Sequence, residues 1–332
     1  MLRSPNQQIT GLAHWAKRHR KRILIATKLL VTVVALFALF SIVDRGMLVS
    51  RLHAMDGRIA LVVVAAAVAQ ILLISIRWQL IIRHLRATPP PFRDTLTISY
   101  AGQFFGQVLP FVAGDGLRAW LLNVKGFELR LAAESVMIDR AVGLFVLVLI
   151  ALPPIWIAPI LHDHPDIARP IAWLVSTLVA SAVLVLALAG PLHRFLGRWP
   201  VLNIVAEVDI RARDLFLSFL GIPVVLISLA VHGLSIFSVF VLAHAIGMPL
   251  SLVDCFALVP IMLLSAMLPI AVGGWGVREG VAMAILPAAG YSSDAALLLS
   301  LLFGATLAIA ALPGIAAWFY LARTDNRKAE PA

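Results

Sequence analysis

Long apolar runs separated by short polar segments make up most of this chain. Each of six runs is about as long as the roughly 20 residues that a helix needs to cross a bilayer. These runs lie at about 23–43, 59–82, 134–158, 169–190, 221–246 and 295–321. Two further apolar runs, at about 95–122 and 252–287, are interrupted by proline and glycine. Because these residues break helices, each interrupted run predicts a re-entrant helical hairpin instead of a plain span.

Composition strengthens the membrane interpretation. Of 332 residues, 61% are hydrophobic and 13% are charged, which excludes a soluble domain and predicts an all-α integral membrane protein. The net charge of +10 does not predict nucleic-acid binding, because the basic residues lie in short segments beside the apolar runs. The single cysteine, Cys255, lies within an apolar run, so we expect a small core residue.

The placement of lysine and arginine predicts orientation, since these residues favour cytoplasmic loops. It assigns a basic N-terminus at 1–22 and a tail at 323–332 to the cytoplasm, with one membrane domain at 23–322 between them. The two hairpins then enter from opposite faces of the inner plasma membrane. Two halves, at about 23–158 and 169–321, thus form an inverted repeat, a layout that places a binding site near the midplane, where the hairpin tips meet.

Both hairpins carry the same order of residues: Leu-Pro, a short spacer, a glycine cluster and an arginine. In the first hairpin these residues are Leu109, Pro110, Gly114, Asp115, Gly116 and Arg118. In the second they are Leu268, Pro269, Gly273, Gly274, Gly276, Arg278 and the following Glu279. An arginine at membrane depth is costly and is therefore a candidate functional residue.

The glycine clusters predict the hairpin tips, which places Arg118 and Arg278 in the first turn of each returning helix. Helix N-termini and guanidinium groups both attract anions, so the pair predicts a phosphate-sized binding site. Internal pairing is the alternative for each arginine. Asp115, three residues before Arg118, suits such a pair, whereas Glu279 is adjacent to Arg278 and should point elsewhere on a helix.

Other charged and polar residues in the apolar runs are given structural roles. Asp139 and Arg140 lie inside a predicted span, where Asp139 suits a charge partner of Arg118 or Arg278. We expect Asp139, Arg140 and Glu279 to balance charge. Arg77 lies near the cytoplasmic end of its span and, with Trp78 beside it, resembles an interfacial anchor. His232 and His244 suit hydrogen-bonded core histidines better than a proton relay.

Signatures of enzymes and metal sites are missing from the sequence. The segment 114–116 is no nucleotide loop, because no strand precedes it and no Lys-Ser or Lys-Thr follows. The loop with His162, Asp163, His164 and Asp166 suits a polar loop better than a metal site. Residues 201–219 have the spacing of an amphipathic surface helix. We therefore expect no catalytic activity, no metal and no cofactor.

Three sequence blocks resemble the flippase-like family named for the lysylphosphatidylglycerol synthase transmembrane region. Its members carry a Leu-Pro…Gly-Gly-Asp…Arg block, an Asp-Arg-x-x-Gly-Leu block and a Leu-Pro…Gly-Gly-x-Gly-x-Arg-Glu block in this order. The corresponding segments here are 109–118, 139–144 and 268–279. Ala113 stands where the family commonly has its first glycine. The likeness covers nearly the whole chain.

The resemblance implies a protein that moves an amphipathic membrane lipid between leaflets. Family members fused to a soluble aminoacyl-transferase domain make and flip aminoacylated phospholipid, and no synthase activity is expected of this sequence. Together with the arginines, the resemblance favours a lipid with an anionic head group, its phosphate held at the hairpin tips. Two alternatives remain open. One is a small-anion or proton-coupled transporter, and the other is a non-transporting subunit that associates with lipid- or hopanoid-biosynthesis enzymes.

Overall fold

The computed structural model describes most of the chain from residue 56 onward. The described stretches are 56–86, 88–109, 111–158, 200–267 and 271–329, with scattered positions in 33–53 and 165–184. The elements in these stretches are helices. The predicted spans at 23–43 and 169–190 fall where only scattered positions are described, and the loop at 162–166 lies largely outside the described residues. Those assignments stay predictions.

The first half contains one long helix, two shorter helices separated by a break, and a fourth helix. These are α1 (Gly57–Leu85), α2 (Phe92–Val108), α3 (Phe111–Val124) and α4 (Leu129–Ala151), followed by the short α5 (Pro154–Ile157). Asp56 caps α1 by accepting a hydrogen bond from the backbone N–H of Arg58 at 2.9 Å. Prolines at 153 and 154 follow the end of α4, because proline cannot continue a helix interior.

The second half repeats this order after a connecting helix. The connecting helix is α6 (Pro200–Leu217), and it is followed by α7 (Gly221–Ala245), α8 (Leu252–Ala266), α9 (Val277–Ile285), a 3₁₀ turn (Pro287–Ala289), α10 (Ser293–Ala311) and α11 (Pro313–Ala329). Ser251 and Asp254 form a capping box at the start of α8. Ser292 caps α10 by accepting from the N–H of Ala295.

Three described helical segments are long and apolar enough to cross a membrane: Gly57–Leu85, Gly221–Ala245 and Ser293–Leu321. They coincide with three of the predicted spans. The last segment is interrupted where α10 gives way to α11 at Pro313. The predicted span at 134–158 is helical as far as Ala151, and it carries three charged side chains in its first half. The fold is thus that of an all-α membrane protein.

The first hairpin breaks at a different point from the predicted one. α2 ends at Val108 and α3 begins at Phe111, so the break between the two helices comes before the glycine cluster. Gly114 lies within α3, and a Cβ there would collide with the backbone of α2 at Gly102 and Gly106. The glycines therefore let two antiparallel helices approach closely, which is a common use of small residues in membrane helices.

The second hairpin does turn at its glycine cluster. α8 ends at Ala266, and Gly273, Gly274 and Gly276 have φ values of 57°, 77° and 88° before α9 begins. Side chains with a Cβ rarely adopt this left-handed conformation, so glycine is required there. The prediction of a glycine tip is correct for this hairpin, while Leu268 and Pro269 lie outside the described residues.

The two halves meet along α1 and α7, which are the first described helices of each. Gln70 accepts a hydrogen bond from Ser235 at 3.2 Å, and Arg77 donates to Ser228 at 3.0 Å. The second contact lies seven residues later than the first on α1 and seven residues earlier on α7, so the two helices are antiparallel. The hairpins also meet, because a Cβ on Gly273 would lie 2.6 Å from the backbone oxygen of Gln107.

The connecting helix α6 packs beside α4 and shows the predicted amphipathic character. Val208, Ala212 and Leu215 are buried with Ile81 and Ile138 in one apolar cluster. Its polar side carries ion pairs back to α4, from Glu207 to Arg130 and from Arg211 to Glu134. Packing of the apolar face against α1 and α4 fixes α6 to the helix bundle.

Candidate functional site

A buried carboxylate, Asp139, joins two arginines from different helices of the first half. Its Oδ1 accepts from Nε of Arg77 at 2.8 Å, and its Oδ2 accepts from both Nη atoms of Arg118 at 3.0 Å. All three side chains are nearly inaccessible, at 1 to 6% exposure. Charges are stable in such surroundings only when they are paired and hydrogen-bonded, so this cluster holds α1, α3 and α4 together.

Arg77 is the member of this cluster that the sequence analysis interpreted wrongly. It is not an interfacial side chain reaching for water, because it is buried and bonds to both Asp139 and Ser228. Gly143 makes room for it, since a Cβ there would lie 3.3 Å from one of its Nη atoms. Trp78 is also fully buried and donates its indole N–H to Ser135 at 3.1 Å.

Arg118 does not lie at a helix N-terminus. Because α3 begins at Phe111, Arg118 is about two turns into the helix, beyond the free backbone N–H groups of the first turn. Its guanidinium lies 4.3 Å from the centre of the Trp78 ring. The predicted partner Asp115 is at the longer distance of 3.5 Å, and Asp139 is the principal partner. The prediction of Asp139 as a charge partner of Arg118 is confirmed.

Arg278 lies where it was predicted, in the first turn of its helix, and its partner is Glu279, which was expected to balance charge but to point away from Arg278. Its Nη2 donates to Oε1 of the adjacent Glu279 at 2.6 Å, and its Nε donates to Ser300 at 3.2 Å. Glu279 can reach back because it also accepts from the backbone N–H of Gly276 at 2.6 Å. The expectation that neighbours on a helix point apart was therefore wrong at this helix start.

The surroundings of Arg278 shape its position further. The guanidinium carbon is 5.0 Å from the centre of the Trp275 ring and 5.9 Å from that of Phe303. Gly304 on α10 leaves space for it, since a Cβ there would collide with Nη2. No described residue accepts a hydrogen bond from Nη1 of Arg278. The side chain thus keeps one donor group that can serve a ligand.

A cavity of about 200 Å³ lies between the two halves and reaches Arg278. Its walls come from α1, α2, α4, α7, α8, α9 and α10, together with the turn of the second hairpin. Most of the lining is apolar. The polar lining residues are Gln70, Gln103, Gln107, Arg140, His232, Ser235 and Arg278. Pockets that combine an apolar wall with a few convergent polar groups are the usual form of ligand sites.

The structure brings only some of the sequence-predicted residues to this cavity. Arg278, Arg140 and Gly273 line it. Gly274 and Gly276 shape the adjacent turn, and Glu279 holds Arg278. The remaining predicted residues belong to the first hairpin and to the buried cluster, and none is among the lining residues: Gly114, Asp115, Gly116, Arg118 and Asp139.

Asp115 connects the buried cluster to the cavity wall. It accepts from Nε of Arg140 at 2.7 Å, while Arg140 lines the cavity. Gly116 faces a separate open apolar groove that Trp120 and Trp318 also line. The charged side chains of the first hairpin therefore do not line the cavity, and Asp115 is linked to it through Arg140.

Four polar cavity residues were missed by the sequence analysis: Gln70, Gln103, Gln107 and Ser235. For the three glutamines the available signal was an amide side chain inside an otherwise apolar helix run, which calls for a partner or a ligand. His232 was noted as a core histidine, and its Nε2 does contact the carbonyl oxygen of Gly143 at 2.9 Å. His244 bonds to its own helix at Phe240 and is exposed. Among the described residues, no three His, Cys, Asp or Glu side chains form a metal-binding group.

Comparison with known proteins identifies the family. A family model described as the lysylphosphatidylglycerol synthase TM region matches residues 25–314, which include every helix of the two halves up to the start of α11. A search among curated proteins gives no match. The three motif blocks that suggested the resemblance all lie within the matched residues. The chain therefore belongs to the lysylphosphatidylglycerol synthase transmembrane-region family.

Proposed function

We propose that this protein moves a lipid with an anionic head group between the leaflets of the inner membrane, as a transporter and not as an enzyme. The family supports a role in lipid handling. The observation that carries the finer proposal is the cavity between the two halves, which contains Arg278 and Arg140. Two guanidinium groups on one small cavity favour a phosphate, because arginine is a common ligand of phosphate groups in proteins.

Arg278 is the principal phosphate ligand in this proposal. Glu279 and Ser300 engage its Nε and Nη2, and Nη1 has no such partner among the described residues. Glu279 orients the guanidinium and balances its charge when no lipid is bound. The acyl chains stay in the surrounding bilayer while the head group enters the cavity. The position of Arg278 at the start of α9 adds the positive end of a helix dipole.

Arg118 takes a different part from the one first predicted. Asp139 occupies both of its Nη atoms, so phosphate binding there would require the ion pair to open. We assign Arg118, with Gly114, Asp115 and Gly116, to holding the first hairpin in place beside the cavity. In the proposal both hairpins are re-entrant, and the site changes its access when one half moves against the other.

Leaflet exchange in liposomes tests this proposal directly. Purified protein is reconstituted with acyl-chain-labelled phosphatidylglycerol, and the labelled lipid accessible to a membrane-impermeant quencher is followed over time. The key variant is Arg278→Gln/Glu279→Gln, which removes both charges and so leaves no unpaired carboxylate. The matched control is Lys125→Gln, since Lys125 forms a partly exposed ion pair with Asp94 away from the cavity.

Exchange by the wild-type protein and the control that is lost in the double variant supports the proposal. If the double variant exchanges lipid as fast as the wild type, phosphate binding by Arg278 is contradicted. If the wild type exchanges no lipid but accumulates inorganic phosphate in the vesicles, lipid flipping is wrong and small-anion transport replaces it. Absence of both activities would favour the non-transporting subunit.

A further inference from the structure

The last membrane segment consists of two helical arms that are joined at Pro313. α10 ends at Ala311 and α11 begins at Pro313, with Leu312 in a turn between them. Because proline has no N–H, the carbonyl oxygen of Ile309 cannot accept a bond from residue 313, and it accepts from Leu312 at 3.1 Å instead. The break is therefore a point at which the two arms can bend against each other.

The α10 arm is attached to the second hairpin. Ser300 donates to Oε1 of Glu279 at 3.1 Å and accepts from Nε of Arg278 at 3.2 Å. Gly304 leaves room for the guanidinium group of Arg278. Phe303 is buried in an apolar cluster with residues of α7, α8 and α9, which also reaches α1 and the end of α4. A movement of the second hairpin would therefore carry α10 with it.

The α11 arm packs instead on the first hairpin. A Cβ on Gly314 would collide with the backbone oxygen of Tyr100, so α11 and α2 are in close contact there. The rings of Phe105 and Trp318 are 5.2 Å apart, edge to face. Leu321 is 5% exposed and lies in an apolar cluster whose other buried residues all belong to the first half. α11 thus packs as part of the first half, although it follows the second half in sequence.

Aromatic contacts extend this attachment along α11. The ring of Trp318 is 6.3 Å from that of Trp120 on α3. At the start of α2, the guanidinium carbon of Arg93 lies 4.9 Å from the centre of the Tyr320 ring. Aromatic and cation–π pairs of this kind add to the stabilisation from apolar burial. Both arms of the first hairpin are therefore tied to α11.

We infer that Pro313 is a hinge between the two halves, with α10 moving as part of the second half and α11 as part of the first. This inference rests on the proposed function for the movement of one half against the other. It goes further in naming the residue at which the chain bends. The hinge lets Arg278 move with α10 while the first hairpin keeps its packing on α11.

Distances between spin labels test which half α11 follows. Labels are attached at Leu129→Cys on α4, Leu252→Cys on α8 and Phe319→Cys on α11, since these three side chains are 55%, 49% and 59% exposed. The background is Cys255→Ala, because Cys255 is the single cysteine of the chain. Each pair is measured by pulsed electron paramagnetic resonance in phosphatidylcholine nanodiscs, with and without phosphatidylglycerol.

The distances from Leu252 to Leu129 and to Phe319 should broaden or shift together, while the distance between Phe319 and Leu129 stays narrow and unchanged. If Phe319 instead keeps its distance to Leu252 and moves relative to Leu129, α11 follows the second half and the inference is wrong. Three narrow distances that are the same in both kinds of nanodisc would also overturn it, since the halves would not move.

The variant Pro313→Ala tests the hinge itself. Alanine supplies an N–H that can bond to the carbonyl oxygen of Ile309, as in an unbroken helix, so the arms should bend less. The changes in the two Leu252 distances should shrink. Leaflet exchange of phosphatidylglycerol should slow about fivefold, which is the factor that one recovered backbone hydrogen bond can supply.

Pro260→Ala is the matched control. Pro260 lies inside α8, and Val259 and Met262 on its two sides are buried in the same apolar cluster. A bend there does not separate the two halves, so this variant should keep the wild-type distances and exchange rate. A loss of movement in Pro260→Ala as large as that in Pro313→Ala would contradict a specific hinge at Pro313.

The two measurements separate the hinge from the proposed function. If the Leu252 distances change as expected but no lipid is exchanged, the hinge is supported and flipping is contradicted. If the wild type exchanges lipid and Pro313→Ala alters neither the exchange rate nor the distances, the hinge is contradicted and flipping is kept.

Discussion

The arginines of the two hairpins have similar motifs but different surroundings. Arg118 follows the first hairpin break and is held by Asp139 from another helix, together with Arg77. Arg278 follows the second turn and is held by Glu279, its own neighbour in sequence. Both are buried, yet only Arg278 lines the cavity between the halves.

The source of the carboxylate explains this difference. A distant partner such as Asp139 ties helices together, so moving Arg118 would disturb α1, α3 and α4 at once. A neighbouring partner such as Glu279 moves with the arginine, so Arg278 can change its contacts without disrupting the bundle. In the proposed function, the same motif thus provides a fixed support in the first half and an adaptable ligand group in the second.

Removal of Asp139 should have the largest effect of any single change in this comparison. Asp139→Asn leaves two buried guanidinium groups without a carboxylate, which should cost about 3–5 kcal/mol of stability. The apparent melting temperature in detergent reports this loss of stability. Asp94→Asn, which breaks the partly exposed pair with Lys125, is the control and should have a much smaller effect. Equal melting of Asp139→Asn and the wild type would contradict a fixed support.

The packing of Gly102 against Arg118 offers a second test. A Cβ at Gly102 would lie 2.5 Å from Cγ of Arg118 and 3.1 Å from the backbone oxygen of Gly114. Gly102→Ala should therefore destabilise the protein by about 1–3 kcal/mol through overpacking. Gly106→Ala is the control, because a Cβ there meets nothing within 4 Å. A larger loss in Gly106→Ala would show that close packing of Arg118 is unimportant.

Replacement of each arginine by lysine sharpens the comparison of roles. Arg278→Lys keeps the charge but loses the paired donors, so we expect lipid exchange to fall about tenfold, as for one lost charge-assisted hydrogen bond of about 1.5 kcal/mol. Arg118→Lys should lower the melting temperature more than Arg278→Lys does, while the folded fraction retains its exchange rate. If Arg118→Lys instead slowed lipid exchange and Arg278→Lys lowered the melting temperature, the proposed roles of the two arginines would be reversed.

The smallest effect is expected at the partly exposed end of the first hairpin. Lys125 and Asp94 form a 3.0 Å ion pair between its two arms. Lys125→Gln should cost less than about 1 kcal/mol, since water near the pair weakens its net contribution. Unfolding in increasing denaturant can measure such a difference. A loss as large as that of Asp139→Asn would mean that this end, and not the buried cluster, stabilises the hairpin.

Local patterns predicted much of the fold because they depend on neighbouring residues. Apolar run length identified α1, α7 and the last span, and proline and glycine identified both broken segments. The glycines of the second hairpin also turned as expected, since Gly273, Gly274 and Gly276 all have positive φ. At Gly114 the same residue type serves close helix packing instead, and sequence alone does not distinguish these two uses of glycine.

Long-range partners were the main source of wrong predictions. Arg77 is 62 residues from Asp139, and nothing near it in sequence indicates this partner. Helix periodicity also misled at Arg278, because Glu279 belongs to a first turn where side chains can fold back to the cap. The cavity itself could not be predicted, since its walls combine helices from both halves.

The two hydrogen bonds between α1 and α7 constrain how one half can move against the other. Gln70–Ser235 and Arg77–Ser228 are fixed points about 10 Å apart along the helices, since seven residues separate them on each. A rigid displacement that preserves both points is a rotation about the line through them. That line follows α1, a candidate membrane span. The seam between the halves would then open sideways into the bilayer, which is the direction from which a lipid would enter in the proposed function.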